Sequence, residues 1–212
     1  MNVSVRFDLL SFWHAGTGRG GGADVDAVVA RTPGGLPFLP GRTVKGLLRQ
    51  ATELGEACGA LAAGTAETWF GTAVEAAAPS TGSGDRGTRV ERLEEARYRT
   101  RPGMLRVGSA LLGRSPDERA RWEAWAAAHP NERELLLDRF ASTQIGDTGV
   151  AEPGTLRAIE VAVPVPLHAD VDFPDAPQGW QEQLASVLPL LRGVGSDRHR
   201  GLGRVQVSLE RS

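Results

Sequence analysis

The chain has 212 residues, a net charge of −2 and basic residues that are all arginine except Lys45. That balance excludes a uniformly basic coat for polyanions, so any nucleic-acid site is local. A single cysteine, Cys58, excludes an internal disulfide, and no apolar run approaches the ~20 residues that span a bilayer, so no membrane role and a cytoplasmic location are expected.

Val3, Val5, Phe7 and Leu9 alternate with polar residues and predict a first strand. It runs through Trp13-His14 into a glycine-rich loop, and 27–30 reads as a short extended segment. After Pro40-Gly41 a helix is expected, with Thr43 as its N-cap and Val44, Leu47, Leu48, Ala51, Leu54 and Leu61 along one stripe. Cys58 falls within this pattern and reads as a small buried apolar group. Residues 78–85 carry loop composition. Arg86, Arg89, Arg92, Arg97, Arg99 and Arg101 with Tyr98 then suggest either a basic lid or a helix laced with Arg–Glu pairs.

Leu105 and Val107 predict a strand. Ser115-Pro116-Asp117-Glu118 is a helix start, with Trp122 and Trp125 expected to pack inward and Pro130 ending the helix. A strand over 155–163, a helix carrying Trp180, Leu184, Val187, Leu188 and Leu191, and a last strand through Val205, Val207 and Leu209 complete the chain. His168 reads as a surface residue, and His129 as a helix-end residue. The predicted class is α+β in one domain, an antiparallel sheet with helices on one face.

Two stretches carry the chemistry. Near the front, Gly41-Arg42-Thr43-Val44-Lys45-Gly46-Leu47-Leu48-Arg49 sets Arg42, Thr43, Lys45 and Arg49 beside a helix N-terminus, where amides and the helix dipole favour anions. Near the back, Gly193, Gly195, Gly201 and Gly203 surround Arg198, His199, Arg200 and Arg204. Such backbone bends beside guanidinium groups suit close approach to a sugar–phosphate strand. The alternatives are a capped helix with a solvated basic face and a flexible connection before the last strand. His14 is either a base-stacking or cleavage-assisting residue, or a hydrogen-bonded structural one. No C-x-x-C or H-E-x-x-H spacing occurs, so no structural zinc is expected.

The segment Leu39-Pro40-Gly41-Arg42-Thr43-Val44-Lys45-Gly46-Leu47-Leu48-Arg49 resembles the "IPGSSLKGALR" signature of the RAMP superfamily of type III CRISPR effectors. Gly201-Leu202-Gly203-Arg204-Val205 is similar to that family's glycine-rich "RGFGRV" loop. Trp69-Phe70-Gly71, Pro102–Val107 and 143–160 resemble weaker motifs between them, in the family's order. The likeness is greatest to the Cas7-type backbone subunit (the Csm3/Cmr4 kind).

The resemblance implies a modified ferredoxin-like, RRM-like core over 1–212, with a lid inserted at 78–106 and a thumb hairpin at 143–157. It implies guide-RNA contacts from Arg42, Thr43, Lys45, Arg49, Gly195, Arg198, His199, Arg200, Gly201, Gly203 and Arg204. It also implies a target-RNA-cleaving aspartate in the loop after the first strand, working with Mg2+ or Mn2+. Counting back from Pro40-Gly41 favours Asp26, as catalytic residue and metal ligand, and counting forward from Gly21-Gly22 favours Asp24. The implied partners are the guide RNA, a complementary target RNA, further copies of this chain and other Cas subunits, including one of the Cas10 type. A non-cleaving capping subunit and a stand-alone RRM-like binder remain the alternatives.

Overall fold

The computed structural model describes residues 2–18, 20, 25–72, 101–147, 149–152 and 154–210. β1 (Asn2–Leu9) buries its odd-numbered residues and leaves its even-numbered ones at least partly accessible, as its alternation requires. It lies between β5 (Pro166–Asp172) and β6 (Val205–Glu210), antiparallel to both. β2 (Arg106–Leu111) pairs with the outer edge of β5, giving the order β2-β5-β1-β6. Phe7 stands opposite Leu167 on one side and Val207 on the other, and Val5 opposite Ala169 and Leu209, so the register stacks apolar side chains on one face.

That face is covered by α1 (Gly41–Ala57), α2 (Thr65–Phe70) and α5 (Trp180–Val187). α1 enters between β1 and β2 in sequence, and α5 between β5 and β6. Strand–helix–strand, twice, with the order β2-β5-β1-β6, is the ferredoxin-like arrangement. α1 buries Val44, Leu47, Leu48 and Ala51 against the sheet. Each of the larger three contributes about 1.5–3 kcal/mol by leaving water. α5 buries Trp180, Leu184 and Val187, and the 3-10 turn Leu188–Leu190 adds Leu188.

Between β2 and β5 the chain inserts α3 (Pro116–Ala128), α4 (Pro130–Glu134) and the hairpin of β3 (Leu137–Ser142) and β4 (Arg157–Ala162). α3 begins as its sequence requires. Ser115 Oγ accepts from the Glu118 amide at 3.2 Å, and Glu118 Oε2 accepts from the Arg114 amide at 2.8 Å. The hairpin is stitched to the chain leaving β1 by reciprocal bonds between Trp13 and Ala162 (3.0 and 2.7 Å).

Several expectations are corrected. α1 starts at Gly41 with Pro40 as N-cap and no side-chain cap, so Thr43 lies inside the first turn. Cys58 is the exposed C-cap of that helix, one residue past its last packed turn. Leu54 is exposed as well. Trp122 is 38% exposed, whereas Trp125, as expected, packs against the core beside the buried Ala126. β5 was not anticipated, although Leu167, Ala169 and Val171 alternate with His168, Asp170 and Asp172. His168 is consequently buried in the sheet with Nδ1 3.0 Å from Glu210 Oε2.

Candidate nucleic-acid interface

The segment leaving β1 forms the floor on which the C-terminal glycine loop lies. The Ser196 amide donates to the His14 carbonyl (2.9 Å), the Gly203 amide to Phe12 (2.7 Å), and the Arg204 amide to Ser11 Oγ (2.9 Å). The loop closes on itself where the Val194 amide donates to Gly203 (2.9 Å). Gly195 and Gly203 have φ of 75° and 67°. A Cβ at the first would collide with the His14 carbonyl oxygen, and at the second with that of Val194. These two glycines are thus required by the approach of one protein backbone to another. The sequence suggested close approach of RNA or a flexible connection for this glycine density, and neither expectation included this backbone contact within the protein.

The docked loop, the His14–Gly16 segment and α1 enclose a cleft of about 330 Å³. Gly195, Ser196 and Arg198 line it from the loop, and Thr43, Gly46, Leu47 and Gln50 from the helix. Those four helical positions are spaced i, i+3, i+4 and i+7, which makes one face. At about 100° per residue, Lys45 and Arg49 point away from it. Arg49 is occupied elsewhere: its Nη1 donates to the Gly71 carbonyl (3.0 Å) and its Nε to Glu53 Oε1 (2.7 Å). Arg49 therefore ties α1 to the end of α2. Of the helix residues expected to touch RNA, only Thr43 lines the cleft. Arg42 is exposed on the first turn and Lys45 is half-buried beside it. Gly46, Gln50 and Ser196 were missed; their i, i+3, i+7 relation to Thr43 was the available signal for the first two.

The electrostatics favour an anion. α1 presents its N-terminus with no acidic residue in the first turn. Arg198, His199 and Arg200 form an exposed 3-10 turn, entered through Asp197, the sole non-glycine with positive φ (53°) among the described residues. Asp197 pairs loosely with Arg200 at 3.6 Å. Arg42, Lys45, Arg198 and Arg204 form no ion pair among the described residues. Gly201 faces open space, so nothing in the fold itself crowds its Cα.

Asp26 lies at the foot of the hairpin. Its amide donates to the Ala158 carbonyl (2.8 Å), and its Oδ2 accepts from the Ala158 amide (2.9 Å). Oδ1 has no such partner among the described residues, and the residue is exposed. Asp24 lies outside the described residues. No group of three or more His, Cys, Asp or Glu able to hold a metal occurs among the described residues. Mg2+ and Mn2+ prefer several oxygen donors, and a lone carboxylate with one oxygen engaged does not form such a set by itself.

The model of the RAMP superfamily matches residues 6–206. The chain belongs to the RAMP superfamily. No curated protein matches the sequence. Among solved structures, one chain of "Type III-B Cmr-beta Cryo-EM structure of the Apo state" is similar with TM-score 0.64 at 11% identity, covering 100% of this chain and 98% of that one. A chain of "Cryo-EM structure of the Type III-B Cmr-beta bound to cognate target RNA" gives 0.62 at 9% identity, with coverage of 99% and 97%. A chain of "Type IV-B CRISPR Complex" gives 0.55 at 16%, covering 100% and 91%. At these identities the likeness is one of fold.

Two other surfaces of this RAMP protein are distinct from the cleft. The open face of the sheet carries Ser4, Arg6, Asp8, the buried His168, Asp170, Gln206 and Ser208, and among the described residues it has no exposed aromatic stacking platform. Its charges are internally matched: Arg6 to Asp8 (2.7 Å), Arg114 to Glu210 (3.2 Å), and Arg119 to Asp170. The tip of the hairpin, beyond β3 and β4, exposes Ile145, Val150 and Leu156. The segment 143–157 is thus a hairpin extension, closed by a bridge between Ile145 and Ala151. The basic stretch of the expected lid lies outside the described residues up to 100.

Proposed function

We propose that this RAMP protein is a guide-RNA-binding backbone subunit of a CRISPR effector, gripping the sugar–phosphate strand in the cleft between α1 and the glycine loop. The observation that carries this reading is the meeting there of Arg198, which forms no ion pair among the described residues, with the first turn of α1. Arg198 offers charge to a phosphate inside the cleft without first breaking an ion pair to any described residue, and Arg42 and Arg204, on the same two elements, lie outside its lining. A stand-alone RRM-like binder would use the open sheet face, and among the described residues that face has no exposed aromatic and has its charges matched.

In this reading the exposed hairpin over 143–157 is the thumb. The loop after β1, whose Asp26 lies at the foot of that hairpin, carries the target-cleaving aspartate. Asp26 Oδ1 accepts a hydrogen bond from the 2′-hydroxyl of the target nucleotide and orients it toward the adjacent phosphorus. The partners are guide RNA, target RNA, further copies of this chain and other Cas subunits, including a Cas10-type one. The bond from the Ala158 amide to Asp26 Oδ2 favours a second reading, a non-cleaving subunit in which Asp26 anchors the hairpin.

Asp24→Ala and Asp26→Ala, each assembled into the effector with guide RNA, separate the two. Loss of target cleavage by at least one variant, with target binding retained, supports the cleaving subunit. Undiminished cleavage by both leaves the anchoring role. The RNA grip itself is tested by Arg198→Ala, which is expected to lower RNA affinity and flatten its salt dependence.

A further inference from the structure

His14 is 4% exposed, yet it lines the cleft. Its Nδ1 lies 2.6 Å from the Glu160 carbonyl oxygen. A carbonyl only accepts, so Nδ1 carries the hydrogen, and in that neutral tautomer Nε2 keeps its lone pair. Nε2 has no hydrogen-bond partner among the described residues. Gly16, also in the cleft wall, stands directly against this atom: a Cβ there would lie 2.7 Å from Nε2. The glycine keeps the nitrogen uncovered.

The residue is buried, but Nε2 is not among the buried unpartnered side-chain atoms, so it opens on the cleft wall where a ligand can reach it. The lone pair seeks a donor, and phosphate oxygens have none to give. Arg198 and the N-terminus of α1, in or beside the same cleft, already suit phosphate. The donor adjacent to every phosphate in RNA, whatever the base, is the ribose 2′-hydroxyl, which DNA lacks. We infer that His14 Nε2 accepts a hydrogen bond from a 2′-hydroxyl of the strand bound in the cleft, making this residue the determinant by which the site prefers RNA to DNA. The inference rests on the cleft being the RNA site and adds the group that reads the sugar.

The experiment compares single-stranded RNA with a 2′-fluoro oligonucleotide of the same sequence, which keeps an RNA-like sugar but has no 2′ donor. Affinities are measured by fluorescence anisotropy with the full-length protein. Two variants remove the contact differently. His14→Asn retains a donor near the Nδ1 position and carries nothing at Nε2. Gly16→Ala leaves the histidine in place and covers Nε2. Thermal unfolding of each variant checks that it folds, and Arg198→Ala reports on the site as a whole.

Wild type is expected to bind RNA about tenfold more tightly than the 2′-fluoro strand, a typical effect of one buried hydrogen bond. Either folded variant should lose that preference by weakening RNA binding alone. An equal affinity of wild type for both strands, or a preference that survives in the folded variants, overturns the inference while leaving the cleft as the RNA site if Arg198→Ala still weakens binding. If Arg198→Ala changes neither affinity, the cleft is not the site and both readings fall.

Discussion

The open face of the sheet and the cleft beside α1 are both rich in arginine, but they hold it in opposite ways. On the sheet face Arg6, Arg114 and Arg119 each meet a carboxylate within 4 Å. On the two elements that wall the cleft, Arg42, Lys45, Arg198 and Arg204 meet none among the described residues, and Arg198 is the one of these that lines it. A guanidinium already paired must lose its partner before it neutralises a phosphate, whereas an unpaired one needs only to shed water and counterions. Charge count alone would not separate the two surfaces; the state of pairing does.

The largest effect expected falls on the scaffold that forms the cleft. Gly203→Val introduces a side chain at φ 67° against the Val194 carbonyl. It is expected to cost roughly 3–4 kcal/mol, read by chemical denaturation, because both strain and collision act. A loss below about 1 kcal/mol would mean that the loop does not pack as described.

Arg31→Ala comes next. Arg31 Nη2 lies 2.6 Å from Glu160 Oε2, a carboxylate that is 5% exposed, and Nη1 lies 3.1 Å from Glu134. Since Arg31 itself is partly solvated, the loss is placed at about 2 kcal/mol, below that of a fully buried pair. RNA affinity should follow only if the hairpin is displaced.

Arg198→Ala against Arg119→Ala sharpens the paired–unpaired contrast directly. The first should reduce the slope of log affinity against log salt by about 0.7, the contribution of one single-strand phosphate contact, with little change in stability. The second should leave the slope unchanged and lower stability by about 1 kcal/mol or less, since the Asp170 side chain is well solvated.

The smallest effect concerns His168. Burial, outweighing the attraction of Glu210, holds its pKa below the usual histidine value. The unfolded chain therefore binds more protons than the folded one between the folded pKa and about 6.5. Stability contributed by this residue is fully present above that window and declines as pH falls through it. A His168→Gln variant should show a shallower loss of stability on acidification below about pH 6.5.

Periodicity made much of the core legible. The first strand, α1, the Ser115–Glu118 helix start and the last strand all follow from local pattern, because each buries one face or satisfies its own amides. β5 was equally alternating but has prolines at and beyond its ends, and passed unread. The approach of the two glycine- and arginine-bearing stretches was legible as composition. Its cause was not, since Gly195 and Gly203 are fixed by backbone carbonyls more than 180 and fewer than ten positions away, respectively. Arg49 shows the same limit: sequence sets it beside the other cations, and only the fold reveals the Gly71 carbonyl and Glu53 that claim it.

Photo-crosslinking of a single-stranded RNA to the full-length protein, with the adducts mapped by mass spectrometry, tests the central claim most directly. Adducts on peptides carrying 42–50 and 195–204, with none on the sheet-face residues Arg6, Gln206 and Ser208, are the result this account predicts. Adducts concentrated on the sheet face, with the α1 and glycine-loop peptides unmodified, would contradict it.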